Sequence, residues 1–170
     1  MQNLLEWSLN LIRSKESLGW MEEYYIEWCS LIEKTLIKIL NGDSLIVASD
    51  NKRGWFVEYI LSNINSKDRP FIPVYRLDGL IFEPSKKESI EDMLAISFPN
   101  GYLFWYIGKK TYPELLKSKD TLFWLIQNEQ KDSLFFEDEK LDVRLIELFW
   151  LFERTIEGAI FGEFELNETI

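Results

Sequence analysis

The amino-acid sequence predicts an α/β protein in three layers, with helices covering both faces of a mostly parallel sheet of about five strands. Strand-like and helical segments alternate along most of the chain, a pattern typical of parallel sheets with right-handed crossovers. The first predicted strand, residues 44–49, is apolar without alternation, as expected for a strand covered on both faces. The length of 170 residues is typical of one domain, so we expect a single domain over residues 1–170.

Two leading helices precede this strand. Residues 3–15 place apolar side chains near one face of a helix, and residues 20–40 carry a longer apolar stripe. Asn41-Gly42 is expected to end the second helix, because glycine is common just after a helix C-terminus. A third helix follows the strand and runs to about residue 64, with Asp50 or Ser49 as its cap.

The later part of the chain supplies the remaining strands and a long last helix. Pro73 cannot donate a hydrogen bond within a sheet, so the strand at residues 71–77 is expected near an edge. Residues 102–107 are apolar or aromatic throughout and are expected at the centre. The other predicted segments are a loop or short helix at 78–92, an undecided segment at 93–98, a short helix at 113–118, strands at 122–126 and 133–136, and a C-terminal helix at 140–161.

The composition excludes several classes of function. A net charge of −10 argues against direct binding to nucleic acid or to an anionic membrane surface and leaves a basic protein partner open. The chain has no histidine, which removes Ser-His-Asp and Cys-His catalysis and histidine-ligated metal sites. Cys29 is the single cysteine, so we expect no intrachain disulfide and an inert core thiol. A secretory leader and an apolar run near ~18 residues are both missing, so we expect a cytoplasmic protein.

The turn after the first strand lacks a phosphate-binding loop. Where such folds hold a phosphate, glycines let backbone N–H groups approach the anion. Here the turn comprises residues 49–53, and the single glycine nearby, Gly54, comes only after it. Asp50 places a carboxylate where the charge of a phosphate would lie. An anion held by Lys52 and Arg53 is the alternative, but a capped helix start with solvated charges is favoured. The turn therefore indicates protein binding rather than catalysis.

Carboxylate chemistry and metal binding are the remaining options. The acidic residues 137–139, with Asp142 one turn later, resemble a divalent-cation cluster, but acids placed favourably at a helix N-terminus explain them better. Paired acids for acid–base work lie on charged faces of predicted helices, and the sequence places no pair across a cleft. These pairs are Glu22 with Glu23, Glu91 with Asp92, and Glu153 with Glu157. We therefore predict no catalytic residue, no metal and no cofactor.

Two helices carry more apolar surface than one covered face requires. A surface helix normally has one apolar face, and a second one indicates either a contact between subunits or a helix enclosed by its own domain. The subunit contact is the favoured interpretation. The candidate oligomer residues are Trp7 and Leu11 in the first helix and Val143, Ile146 and Trp150 in the last.

The start of the second helix is unusually aromatic. Tryptophan and tyrosine dominate the energetics of protein interfaces, although a core stripe is the commoner use of such spacing. We assign Trp28 and Tyr25 to the core and place Trp20 and Tyr24 near a rim.

Several of these segments, in this order, resemble the HobA family over about residues 19–160. Singly the motifs are weak, but together they are fairly specific. They are Gly19-Trp20; residues 39–45; Trp55-Phe56; residues 59–63; Phe104-Trp105 with Gly108-Lys109; residues 123–125; and Leu148-Phe149 with residues 151–153.

The resemblance implies a fold like the sugar isomerase (SIS) domain, of the flavodoxin- or Rossmann-like kind. It also implies a tetrameric, non-enzymatic bacterial factor that binds the N-terminal domain of the replication initiator DnaA. Such a factor promotes DnaA assembly at the chromosomal origin and is a counterpart of the DiaA protein. From exposure and location, we expect Trp20, Tyr24, Asn51, Lys52 and Arg53 to contact the partner.

The alternative function is a sugar-phosphate isomerase or phosphosugar sensor of the SIS type. It would place Ser49, Ser62 or Lys52 at the phosphate. The absence of a Gly/Ser-rich turn argues against it, and leaves the adaptor as the favoured hypothesis.

Overall fold

Five parallel strands form one sheet in the order β2-β1-β3-β4-β5. The computed structural model describes residues 2–77, 87–118, 120–127, 130–137 and 139–167. The strands are β1 (Ser44–Ser49), β2 (Val74–Arg76), β3 (Tyr102–Gly108), β4 (Thr121–Ile126) and β5 (Leu134–Phe136). Residues 78–86 of the segment predicted as a loop or short helix over 78–92, and Asp138 of the acidic stretch, lie outside the described residues.

The strand predictions are confirmed in position and in role. β1 has the predicted bounds, β3 lies at the centre of the sheet, and the proline-containing segment supplies the short edge strand β2. Every residue of β3 is buried, because helices cover both faces of the sheet.

In the part of the chain that the structure describes, five α-helices surround the sheet, and 3₁₀ segments precede three of them. The α-helices are α1 (Leu4–Ser14), α2 (Tyr25–Leu40), α3 (Gly54–Asn63), α4 (Lys87–Ser97) and α5 (Leu145–Ile160). The 3₁₀ segments are Glu16–Glu23, Asn51–Arg53, Glu114–Ser118 and Glu139–Arg144. The undecided segment at residues 93–98 is mostly the end of α4.

The 3₁₀ segments are where the sequence prediction was wrong. The predicted helices at 20–40 and 140–161 each begin with a 3₁₀ segment, and the α-helical part starts only at Tyr25 and Leu145. In the first case Leu18 and Met21 are both fully buried. Residues three apart face the same way in a 3₁₀-helix, so this spacing lets both side chains enter the core.

The three layers are unequal. The larger apolar cluster lies between one face of the sheet and α1, α2, α3 and α5, and includes Trp28, Trp105 and Trp124. The smaller cluster packs the other face against α4 and the segment Glu114–Ser118. This confirms the three-layer α/β/α prediction.

The topology defines where a ligand would be expected. From β1 the chain goes to β2 on one side and then to β3 on the other, so the strand order reverses between β1 and β3. In open α/β sheets, ligands bind in the crevice at the carboxyl ends of the two strands that flank such a reversal. Here that crevice lies beside Asp50 and Lys109, which follow β1 and β3 directly.

Candidate functional site

The side chain of Asp50 occupies the crevice at the strand reversal. One carboxylate oxygen accepts a hydrogen bond from the backbone N–H of Arg53 (3.1 Å), which caps the helix start as predicted. The other accepts from the backbone N–H of Lys109 (2.9 Å). The carboxylate therefore uses the N–H groups that would otherwise be available to a bound anion.

Gly108 makes this approach possible. Its φ of +147° is a conformation that side chains rarely adopt, and a Cβ there would lie 2.5 Å from Oδ2 of Asp50. Gly108 thus lets an anionic group come close to the end of β3, and that group is the Asp50 carboxylate of the same chain.

Arg53 is fully buried behind this carboxylate, and its predicted exposure at a partner surface is wrong. Its guanidinium lies 2.5 Å from Oδ2 of Asp50 and 2.8 Å from Oδ1 of Asp142. Two carboxylates neutralise its charge, which makes burial tolerable. Asp142 lies 89 positions away in sequence, so no local pattern could have identified it as the partner.

Tyr106, on β3 near the crevice, keeps its hydroxyl proton. The hydroxyl of Tyr106 donates to the backbone oxygen of Lys109 (2.6 Å), and burial raises the pKa of Tyr106 to about 12. Tyr106 therefore stays protonated at neutral pH.

The described residues contain no group of three or more potential metal ligands, and within the same ranges no helix is long and apolar enough to cross a membrane.

Trp20 and Tyr24 lie together at the carboxyl end of β5. Both rings pack against Phe136, at centroid distances of 5.9 and 5.1 Å. The indole N–H of Trp20 donates to Glu147 (3.2 Å), and the guanidinium of Arg144 lies 5.1 Å from the Trp20 ring. Both aromatic residues are half-buried, as expected for a rim position.

The segment Glu139–Arg144 connects this aromatic cluster to the turn after β1. Asn51 and Lys52 are exposed there, and the Lys52 ammonium lies 4.0 Å from Asp142. Since Arg144, two residues after Asp142, covers Trp20, the two predicted partner-binding groups border one segment. Val143 is 80% exposed on it, and Ile146, one turn later, is 45% exposed. We call the four residues Trp20, Tyr24, Asn51 and Lys52 the carboxyl-edge surface; Val143 and Ile146 lie beside it.

The other predicted oligomer residues divide into two groups. Trp7 is buried, and its predicted place on a spare apolar face is wrong. Its ring packs against Phe164 at 4.7 Å, and a Cβ on Gly158 would lie 2.7 Å from it. Leu11 and Trp150 are half-buried. The Trp150 ring is covered by the ammonium of Lys15 at 3.8 Å.

The remaining candidate groups have structural roles. Glu153, predicted on a charged face, is instead 6% exposed, and with Glu157 it binds the guanidinium of Arg69. Burial raises the pKa of Glu153 above its usual value. Cys29 is buried as predicted, and burial raises the pKa of its thiol to about 11.

A cavity of about 260 Å³ lies at the opposite, amino edge of the sheet. Several lysines line it, but two of them are already paired: Lys38 lies 3.5 Å from Asp120, and Lys117 lies 2.8 Å from Glu114. The cavity is also remote from the strand reversal, so we do not assign it the function of the crevice.

Comparison with known proteins supplies the family. The family model for HobA, a DNA replication regulator, matches residues 1–166. The DNA replication regulator protein HobA of Helicobacter pylori (strain ATCC 700392 / 26695) is 31% identical, across 98% of this chain and 100% of that protein.

Two solved structures share the fold. A crystal structure of a HobA–DnaA (domain I-II) complex from Helicobacter pylori superposes with a TM-score of 0.77 at 28% identity, covering 98% of this chain and 100% of the matched chain. A crystal structure of HobA from the same organism gives 0.69 at 28% identity, covering 98% and 99%. The chain belongs to the HobA family of DNA replication regulators.

Proposed function

We propose that this protein is a cytoplasmic, non-enzymatic adaptor that binds the N-terminal domain of the replication initiator DnaA and promotes its assembly at the chromosomal origin. The observation that carries the proposal is the match to a relative solved in complex with DnaA domain I-II, at a TM-score of 0.77 over nearly the whole chain. Residues 1–170 would act as one domain.

The crevice supports the adaptor over the phosphosugar alternative. An isomerase or phosphosugar sensor of this fold needs backbone N–H groups at the strand reversal, and Asp50 already accepts from two of them. A phosphate there would also face the Asp50 carboxylate, which repels it. Function therefore falls to the outer surface.

The carboxyl-edge surface is the proposed DnaA contact. Trp20 and Tyr24 offer aromatic area already ordered by Phe136, and Asn51 and Lys52 offer exposed polar groups on a turn held from inside by Arg53. Pre-ordered aromatic groups lose little entropy when a partner binds. With a net charge of −10, the protein itself would make no direct contact with DNA, which would be bound by DnaA.

A homotetramer explains how such an adaptor acts without a catalytic group. Val143 and Ile146, together with the half-buried Leu11 and Trp150, are the proposed subunit contact. Several initiator domains held on one assembly meet at a raised effective concentration, which favours their further association.

Calorimetric titration with the DnaA N-terminal domain tests the proposal. The unmodified protein should bind with a Kd of about 10 μM or tighter. The double variant Tyr24→Ala/Lys52→Glu should bind about tenfold more weakly, because an aromatic contact and a charge are lost from the surface.

The matched control is Tyr75→Ala/Lys34→Glu, which changes the same residue types outside the carboxyl-edge surface; Lys34 is exposed on α2 at the opposite, amino edge of the sheet. Tyr75 is 47% exposed on the edge strand β2. Equal loss of binding in the two double variants would contradict the assigned surface, and no heat of binding at tens of micromolar would contradict the proposed partner.

A further inference from the structure

The cavity at the amino edge of the sheet exists because β5 is shorter than β4. The strand β5 pairs only with residues 124–126 of β4. In the described part of the chain no strand therefore lies beside residues 121–123 on that side, and α2 and residues 130–132 line the gap. The space of about 260 Å³ is slightly smaller than the roughly 300–1,000 Å³ of sites for drug-sized ligands, so it suits a compact molecule.

Buried apolar side chains form part of the cavity wall. Leu103, Leu122 and Phe123 line it, and each is no more than 6% exposed. Gln130 lies beside them, and its side-chain oxygen accepts a hydrogen bond from the hydroxyl of Tyr112. This bond leaves the amide N–H groups of Gln130 to donate to a ligand. An apolar wall with a few polar groups of fixed position is typical of small-molecule sites.

Four lysines line the same cavity, although acidic residues outnumber basic ones in the chain by 29 to 19. They are Lys34, Lys38, Lys117 and Lys131. Lys34 and Lys38 lie one turn apart on α2. Like charges at this spacing destabilise a helix, and an anion near both of them would reduce that repulsion.

Two of the four lysines are neutralised by carboxylates nearby. The ammonium of Lys38 lies 3.5 Å from Asp120 and 3.9 Å from Asp43. The ammonium of Lys117 lies 2.8 Å from Glu114. These two lysines therefore contribute N–H donors to the cavity but little net charge.

The other two lysines keep their charge. Within the described ranges neither Lys34 nor Lys131 forms an ion pair, and both are exposed. Asp132 is the further carboxylate that lines the cavity, so the unpaired lysines outnumber the unpaired carboxylates. Lys119 and Glu129, which adjoin the lining residues in sequence, lie outside the described residues and have opposite signs. A small anion therefore meets positive charge here, on a chain whose net charge of −10 repels anions overall.

We propose that this cavity binds a small phosphate monoester, with Lys34 and Lys131 at the phosphate and the apolar wall against the rest of the molecule. Lysine binds phosphate as a point charge, and a phosphate monoester carries about −1.5 to −2 charges at pH 7, which two unpaired ammonium groups match. The cavity lies at the amino ends of the strands, away from both the crevice and the carboxyl-edge surface. Binding there is therefore independent of the proposed DnaA contact.

Thermal unfolding with phenyl phosphate and, separately, with inorganic phosphate tests the site, with sodium chloride at the same ionic strength as the reference. The unmodified protein should show a saturable rise in Tm, with a Kd of about 1 mM or tighter for phenyl phosphate. Inorganic phosphate should bind at least about threefold more weakly, because it has no apolar part to contact the wall.

Three single substitutions and a control locate the anion. Lys34→Met and Lys131→Met should each weaken binding about fivefold, since each removes one charge contact with the phosphate. Asp132→Asn should strengthen binding, because it removes a repelling carboxylate, and asparagine tolerates the φ of 57° at this position. The control, Lys110→Met, changes an exposed lysine beyond the carboxyl end of β3 and should leave the Kd unchanged.

Several results would contradict the site. Equal Tm values in phenyl phosphate and in chloride would mean that no anion is bound. Equal affinities for the two phosphates would exclude a contact with the apolar wall. Full affinity in both lysine variants, or loss confined to Lys110→Met, would place the anion elsewhere. Each of these outcomes leaves the DnaA titration unaffected, so failure of this site and failure of the proposed function are distinguishable.

Discussion

Three side chains at the end of β1 determine what this protein can bind. Asp50 accepts two backbone N–H groups at the strand reversal, and Arg53 is buried between Asp50 and Asp142. The chain thus provides its own anion where related architectures hold a ligand. These buried ion pairs hold the turn that carries the exposed residues Asn51 and Lys52.

Removal of the Arg53 charge should destabilise the whole molecule. In Arg53→Met two carboxylates lose their counter-ion, and the free energy of unfolding should fall by about 3 kcal/mol, as for other broken buried pairs. Urea denaturation measures the change. Lys52→Met is the control, because its ammonium is exposed and 4.0 Å from Asp142, and it should cost less than about 0.5 kcal/mol. Equal effects of the two substitutions would contradict the role of Arg53.

The thiol of Cys29 should make stability depend on pH in the alkaline range. Its folded-state pKa is about 11, against 9.0 for the unperturbed thiol, so the folded state favours the protonated form. This stabilising contribution is complete below pH 9 and is lost as the pH rises to 11. The difference in unfolding free energy between the unmodified protein and Cys29→Ala should therefore shrink over that interval. A constant difference would contradict the assignment.

At the scale of elements, the hydrogen bond that links the ends of β1 and β3 through the Asp50 side chain depends on one glycine. Gly108 ends β3 with φ at +147° and leaves room for the Asp50 carboxylate. That carboxylate then joins the ends of two neighbouring strands and the start of α3. A single small residue thus sets the geometry of the whole crevice.

The substitution Gly108→Ala should cost about 2 kcal/mol or more of unfolding free energy. The new Cβ would meet Asp50 at 2.5 Å, and the backbone conformation is itself unfavourable for alanine. Gly19→Ala is the matched control, since no atom lies within 4 Å of its Cβ, and it should change stability by less than about 1 kcal/mol. Thermal or urea unfolding compares the two, and similar stabilities would refute the close approach.

Local patterns predicted the elements, but not the contacts between distant segments. The burial of β1, the edge position of the strand after Pro73 and the central position of β3 can each be predicted from the residues of one short segment. The burial of Arg53 and of Trp7 depends on Asp142 and Phe164, which are distant in sequence. The predicted exposure of Asn51 and Lys52 is therefore confirmed, whereas that of Arg53 and Trp7 is wrong because a remote segment covers each of them.

At the scale of the whole molecule, a strongly acidic chain presents a few apolar side chains in defined places. The net charge of −10 keeps copies apart except where apolar or balanced surface meets. The exposed apolar pair Val143 and Ile146 is the proposed place of this kind, and the carboxyl-edge surface beside it is proposed for the initiator. An adaptor that uses one surface for contact between its own copies and another for its partner can bring several partner molecules together without any catalytic chemistry.

Disruption of the proposed subunit contact at the start of α5 and in the 3₁₀ segment before it should reduce the size of the assembly. In Val143→Glu/Ile146→Glu, two exposed apolar side chains become charged, and like charges would face each other across the contact. Light scattering should give a smaller particle than for the unmodified protein. Met93→Glu/Ile96→Glu, with two exposed side chains on α4, should keep the original size. An unchanged particle in the first variant would exclude this surface as a subunit contact.

Hydrogen exchange of the unmodified protein, with and without the DnaA N-terminal domain, tests the central claim most directly. If the filled crevice leaves function to the outer surface, the initiator domain should slow exchange in residues 16–24, 51–53 and 139–146, which form and border the carboxyl-edge surface. Added protection confined to other segments, or none at saturating partner, would contradict the account.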